Sequence, residues 1–381
     1  MVQDNWVSVW ARRRSDEVVP IPKKYAIHKD FLREMTDDEA RSAFAEIHSI
    51  FRGIYGGIAL CPGEYGMPVF PTNGFRVYSR EWRDSGQAPF RPLVLLYNLL
   101  LCGEIRGNGL YVSFEKYKAY EPPPKHLSGV DQKIMKPHLL FNKLIEFGFA
   151  FEGLKNNRVA DNDIIIEYPD NPNVLPMLKR LADKARYTDR LGDFLCCHFR
   201  LMQNNMETSD YGTGIEHITD RVGTDNEKTF ILEMNETLLN MGHVGKAYGG
   251  VECFGFAYYK NEKLMNANGP YSYRVMTRGM DFDNIDTSSE KMRLSLRVRN
   301  VSKCGDYLKK CPESVKRIFT EYSDDGCGNR GRGTCRHGVS YELDDVTYWR
   351  CGCCHAPFSF KPSISDIPHY VKLVELGEDK K

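Results

Sequence analysis

The sequence predicts an α+β chain of several subdomains, an antiparallel sheet with packed helices followed by a small cysteine-bearing β module. Three observations predict it. Apolar residues recur at helical spacing through much of the first 240 positions, strand-like alternation with turns dominates from there to about 300, and seven of the twelve cysteines fall after Ser302. A chain of 381 residues is long enough for two or three domains. Composition shifts divide it into a helical, turn-rich region at 1–90, a segment at 91–168, a sheet-bearing α+β region at 169–303 and a terminal module at 304–381.

Taken in order, TDDEARSAFAEIHSIFRGIYGGI opens as a helix. Thr36 suits the cap, Asp37, Asp38 and Glu39 suit the positive helix end, and Ala43, Phe44, Ile47, Ile50 and Phe51 share one face. Gly53 and Gly56-Gly57 are expected to end it. RPLVLLYNLLLCGEI from Arg91 reads as a buried helix, and LYVSFEKYKAY is ambiguous between helix and strand. A further helix is expected to start with Pro137 at its first position. Strands on either side of Lys155-Asn156-Asn157-Arg158 then form a polar hairpin.

Three helices followed by a hairpin is the order of a winged-helix domain, whose third helix enters the major groove while the hairpin touches the backbone. On that reading Lys136, Asn142 and Lys143 lie on the exposed helix face, and Lys155 and Arg158 sit on the wing. The segment from Arg91 to Arg158 holds ten Lys or Arg against six Asp or Glu. The same order also fits a generic α+β substructure.

Asn171 or Asn173 is expected to cap a helix with Leu175, Leu178, Leu181 and Ala182 on its apolar stripe. Cys196-Cys197-His198 sits in an apolar helical stretch and reads as core. KMRLSLRVRNV alternates, with Met292, Leu294, Leu296 and Val298 on one face and Arg293, Ser295, Arg297 and Arg299 on a basic face turned to solvent. Tyr248, Tyr258 and Tyr271, near Gly249-Gly250, could line a small-molecule cleft, or form ordinary aromatic strands.

The terminal module carries the sharpest pattern. Cys351-Gly-Cys-Cys354 supplies a C-x2-C knuckle, and Cys335 precedes Cys351 by fifteen intervening residues, a zinc-ribbon spacing. Cys327 completes the set across a glycine-rich loop of seven residues. GVSYELDDVTYW between the knuckles alternates like a hairpin turning at Leu343-Asp344-Asp345. Cys327, Cys335, Cys351 and Cys354 are the preferred zinc ligands. Cys353 could replace Cys354, and His337 or His355 could replace a thiolate. Four protein ligands make a closed, structural site with no open position for catalysis. The alternatives are a reduced, metal-free cysteine group or a redox centre.

Pro312-Glu313-Ser314, Cys327, Cys335, the Tyr341 strand, Tyr348 with Cys351, Phe358-x-Phe360 and the stretch from Pro362 to Tyr370 resemble the end of an uncharacterised family of bacterial cytoplasmic proteins common in clostridia-like bacteria. The resemblance covers about the last seventy residues well. It implies a cysteine-bearing terminal module and no reaction.

The net charge of +1 argues against binding polyanions by bulk charge, leaving a local basic face as the route. No secretory h-region and no span of bilayer length occurs, so a cytoplasmic chain without membrane contact is expected, in which clustered thiols stay reduced. GNRGRGTCRHG could cradle phosphate or RNA, and otherwise reads as a solvated loop. No P-loop, GxSxG, HExxH or dinucleotide fingerprint is present. The sequence therefore favours a binding or regulatory protein that contacts nucleic acid through residues 91–168. The alternative is an enzyme or small-molecule binder with an aromatic cleft, and a protein-interaction scaffold is the third reading.

Overall fold

The computed structural model of the chain describes residues 5–71, 85–119, 136–207, 214–222, 224–249, 254–267, 270–277, 292–298, 300–320, 338–351 and 357–378. It forms two units, Met1–Tyr211 and Gly212–Lys381.

The first unit opens with α1 (Trp6–Glu17), capped by Asn5, whose side chain accepts from the Val7 N–H. It packs on α2 (Asp37–Leu60). Thr36 and Glu39 form a reciprocal capping box there, each side chain satisfying the other's backbone N–H. One stripe of α2, including Phe44, Ile47, Phe51 and Ile54, is buried, and each such side chain stabilises by about 1.5–3 kcal/mol. The helix does not end at its glycines. It runs through Gly53, Gly56 and Gly57 to Leu60 because two of these glycines serve close packing. A Cβ on Gly57 would lie 2.1 Å from the Tyr65 hydroxyl oxygen, and one on Gly53 would lie 2.5 Å from the Phe147 ring.

Next come α3 (Arg91–Cys102), β1 (Gly103–Arg106), β2 (Gly109–Val112), α4 (Phe114–Ala119), α5 (Pro137–Glu146), β3 (Ala150–Glu152) and β4 (Ile164–Glu167). α3 is apolar almost all round and buried, as expected, and α5 starts at Pro137. The ambiguous stretch divides at Ser113 into β2 and α4. The strands form an antiparallel sheet in the order β1-β2-β4-β3. α6 (Val174–Tyr187) closes the layer against α2, α3 and β2. Asn173 occupies its cap position without a side-chain cap bond, while Asn171 accepts from the Asn173 N–H. Cys196, Cys197 and His198 are buried.

The second unit holds α7 (Asp225–Asn240), β5 (Val244–Gly249), β6 (Phe254–Tyr259), β7 (Tyr273–Thr277), β8 (Met292–Arg297), α8 (Glu313–Thr320), β9 (Gly338–Leu343), β10 (Val346–Cys351), β11 (Pro357–Phe360) and α9 (Ile367–Glu378). Five strands make one antiparallel sheet, ordered β11-β8-β7-β6-β5. α7 and α9 reach one face of it through the Tyr258 hydroxyl, which donates to Asn235, and the Tyr273 hydroxyl, which donates to the Val371 carbonyl. β9 and β10 pair separately as a hairpin.

Two expectations are revised. The second face of β8 is only partly open to solvent. Ser295 is fully buried, and Arg293 and Arg297 are half-buried; Arg299 lies outside the described residues. The chain also does not divide at 168 and 303: α6 packs with the first unit, and β11 joins β8, so residues on both sides of 303 share one sheet. Among the described residues, no helix is long and apolar enough to cross a membrane.

Candidate functional site

The segment expected to contact nucleic acid is built around α5. The burial of Leu140, Phe141 and Leu144 fixes one side of this helix. The turn Asn156-Asn157 joins the strands beyond it. Both residues have positive φ, and Lys155 and Arg158 exchange backbone hydrogen bonds of 3.0 and 3.1 Å. The turn lies within the connection between β3, which ends at Glu152, and β4, which begins at Ile164, and asparagine tolerates its left-handed backbone. The turn folds back on α5: the Asn157 amide donates to Asn142, and the Arg158 guanidinium lies 3.2 Å from His138 Nδ1.

Of the four expected contact cations, Lys136 is exposed just before α5. Lys143 is only 14% exposed, its ammonium 2.6 Å from Glu64 and 2.7 Å from Glu146, above the Tyr65 ring. Those carboxylates hold the Lys143 pKa above the ordinary lysine range, while burial pushes the Tyr65 hydroxyl up to about 12. Lys155 pairs with Asp161 at 2.6 Å, and Arg158 is exposed. The expected open face for Asn142 and Lys143 is thus corrected. Both are half-buried, because the wing and the turn at Pro62–Tyr65 pack against α5.

The three cleft tyrosines are not brought together. Tyr258 is fully buried on the helix-covered face, where burial raises its hydroxyl pKa. Tyr271 lies against the Arg274 and Arg297 guanidinium groups, 4.8 and 5.3 Å from its ring centroid, on the opposite face. Tyr248 belongs to β5, opposite Gly255. A cavity of about 290 Å3 lies instead between the first turn of α7, Met292 and residues Lys361 to Ile364. Its one carboxylate, Glu227, already serves the capping box and the Met292 N–H.

Cys327, Cys335 and Cys354, with Cys353, His337 and His355, lie outside the described residues. Cys351 ends β10, directly opposite Gly338. Among the described residues no three metal-ligating side chains cluster.

The structure assembles one group that the sequence reading missed. The Tyr307 hydroxyl lies 2.9 Å, and the Cys311 thiol 3.7 Å, from His369 Nδ1. The spacing of Tyr307 and Cys311 by one helical turn was a legible signal; the long-range partner was not. Burial raises the Cys311 pKa, so this thiol is a poor nucleophile. The neighbouring Cys304 thiol is pushed up to about 11 by burial, with a further contribution from Cys311.

No known family, curated protein or solved structure matches the chain.

Proposed function

We propose that the chain is a nucleic-acid-binding protein that contacts a duplex through α5 and the Lys155–Arg158 wing. The observation that carries the reading is topological. Chain order α3, β1, β2, α4, α5, β3, wing, β4, with the sheet order β1-β2-β4-β3, has helices followed by a hairpin, the order that would present a helix and a hairpin tip to a groove. Lys136 and His138 at the start of α5, together with Lys155 and Arg158, supply the contacts. The ion pair of Lys155 with Asp161 is exposed, so it is weak and phosphate competes with it.

The terminal module is the structural part of the proposal, with zinc held by Cys327, Cys335, Cys351 and Cys354. Its support is the register of the β9–β10 hairpin. Cys335 precedes Gly338 by three residues and Cys354 follows Cys351 by three, so each is tethered within about 11 Å of the same closing rung.

Fluorescence anisotropy with a labelled duplex tests the binding proposal. Affinity should fall steeply with salt, and Lys155→Glu with Arg158→Glu should weaken it about tenfold and flatten the salt dependence. Unchanged binding by the folded double variant refutes the assignment.

A further inference from the structure

The five-stranded sheet of the second unit has two unlike faces. One presents Tyr258, Tyr273, Leu294 and Leu296 to the core. On the other, the register sets Lys246, Ala257, Arg274 and Ser295 in one row across β5, β6, β7 and β8. Arg293 and Arg297 flank Ser295 at two residues on either side of the same strand. That face therefore gathers four cations on its described strands. The three arginines are half-buried and Lys246 is exposed. Tyr271 stiffens the group, with the guanidinium groups of Arg274 and Arg297 both over its ring.

Two buried polar atoms on this face are the second observation. The Ser295 hydroxyl, on a residue with 0% exposure, and Arg297 Nε meet no hydrogen-bond partner among the described residues. Buried donors of this kind are normally satisfied. A phosphate oxygen accepts from both a hydroxyl and a guanidinium fork.

We infer that this sheet face binds the phosphate backbone of single-stranded nucleic acid. The cations spread over about 14 Å in each direction, four residues along β8 and three strand spacings across the sheet, a span that admits successive phosphates of an extended strand. The floor between them is small-chained, Ala257 and Ser295, so a backbone can approach closely. Bases stack on guanidinium planes and tyrosine rings without sequence preference. The site is separate from the proposed duplex contact, and each survives failure of the other.

The test uses the full-length chain and a fluorescein-labelled oligo(dT) of about 20 nucleotides, a length beyond the site size of one such platform. Binding is read by anisotropy over a salt series. Arg297→Gln should weaken binding about tenfold and reduce the salt slope by about 0.7, and Ser295→Ala should weaken it about threefold. Lys246→Glu, at an exposed position, should weaken it as well, and serves if the Arg297 variant does not fold. The Lys155→Glu, Arg158→Glu protein should keep its oligo(dT) affinity. Parental affinity in folded Ser295→Ala and Lys246→Glu proteins overturns the inference. So does displacement of the oligonucleotide by equimolar inorganic phosphate, since that marks a site for the free ion.

Discussion

The Lys143 ammonium is held between the carboxylates of Glu64 and Glu146, at 2.6 and 2.7 Å. The cation at the centre of the proposed recognition helix is therefore already neutralised inside the protein. If α5 faces a duplex, these two glutamates restrain binding. Glu64→Gln with Glu146→Gln should raise duplex affinity about threefold at low salt, the scale of freeing one partly exposed ion pair. Anisotropy titration of the double variant checks this, and an unchanged affinity removes α5 from the interface.

The wing should owe its shape to two asparagines. Asn156 and Asn157 hold φ of 51° and 53°, which costs other non-glycine residues about 1–2 kcal/mol. Asn156→Ala should lower unfolding stability by about 1 kcal/mol in urea titration, while Asn156→Gly should be close to neutral. Asn157→Gly should still lose stability, because the Asn157 side chain also donates to Asn142. Equal effects at the two positions would show that the fold-back onto α5 contributes nothing.

Adjacent glycines in α2 should respond oppositely to the same change. Gly56 has open space where a Cβ would go, so Gly56→Ala should stabilise by about 0.5–1 kcal/mol through helix propensity. Gly57→Ala drives a methyl group into the Tyr65 ring, 2.1 Å from its hydroxyl oxygen. Tyr65 must move, and with it the turn that carries Glu64, at a cost of about 1–3 kcal/mol. Thermal melts of the two variants moving in the same direction would refute this contact.

These glycines also show where the sequence was legible and where it was not. Local signals held: the Thr36 cap, Pro137 at a helix start, and the turns at Asn156-Asn157 and Asp344-Asp345 all appear as expected. Each is decided within a few residues by backbone geometry or capping. The misreadings concern what lies across from a residue. Gly57 looked like a helix stop because Tyr65 is invisible in a helical pattern. Arg293, Ser295 and Arg297 looked fully solvent-facing because alternation assigns residues to a face without showing how much of that face is covered. Tyr258 and Tyr271 read either as a cleft wall or as ordinary aromatic strands; Tyr258 is buried on the helix-covered face, while Tyr271 lies against Arg274 and Arg297.

His48 should give the first unit a pH-sensitive increment. Its Nε2 donates to the Val19 carbonyl at 3.1 Å, and burial lowers its pKa below the ordinary histidine value, with Arg52 adding to the effect. The folded state therefore disfavours the charged ring. Above about pH 6.5 both states are neutral and the stability is fully present. As pH falls below that value the unfolded chain takes up the proton first, so stability drops until the folded pKa is passed. The shifted carboxylates Glu39, Glu104, Asp161 and Asp163 have pKa values lowered from below 5, outside this window. Urea midpoints between pH 7 and pH 5 should fall for the parent protein and fall less for His48→Gln; parallel curves would exclude His48 as the source.

The opposition of Cys351 and Gly338 makes the metal proposal a statement about one end of one hairpin. The far end is closed by Asp344-Asp345 in a left-handed turn. The β9 side chains Tyr341 and Leu343 are buried, and the Tyr341 hydroxyl donates to the Phe319 carbonyl, so the hairpin is anchored by packing and a tetrahedral clamp would add its hold at the open end. Protein purified without added metal should carry about one zinc per chain by native mass spectrometry. Chelation or Cys351→Ser should remove the zinc and expose the amides of β9 and β10 to hydrogen exchange, while those of β6 to β8 keep their protection. Exchange localised in this way separates loss of the clamp from general unfolding. Zinc-free protein with slow exchange in β9 and β10 would show that the hairpin stands without a metal, and the terminal thiols would then need another explanation.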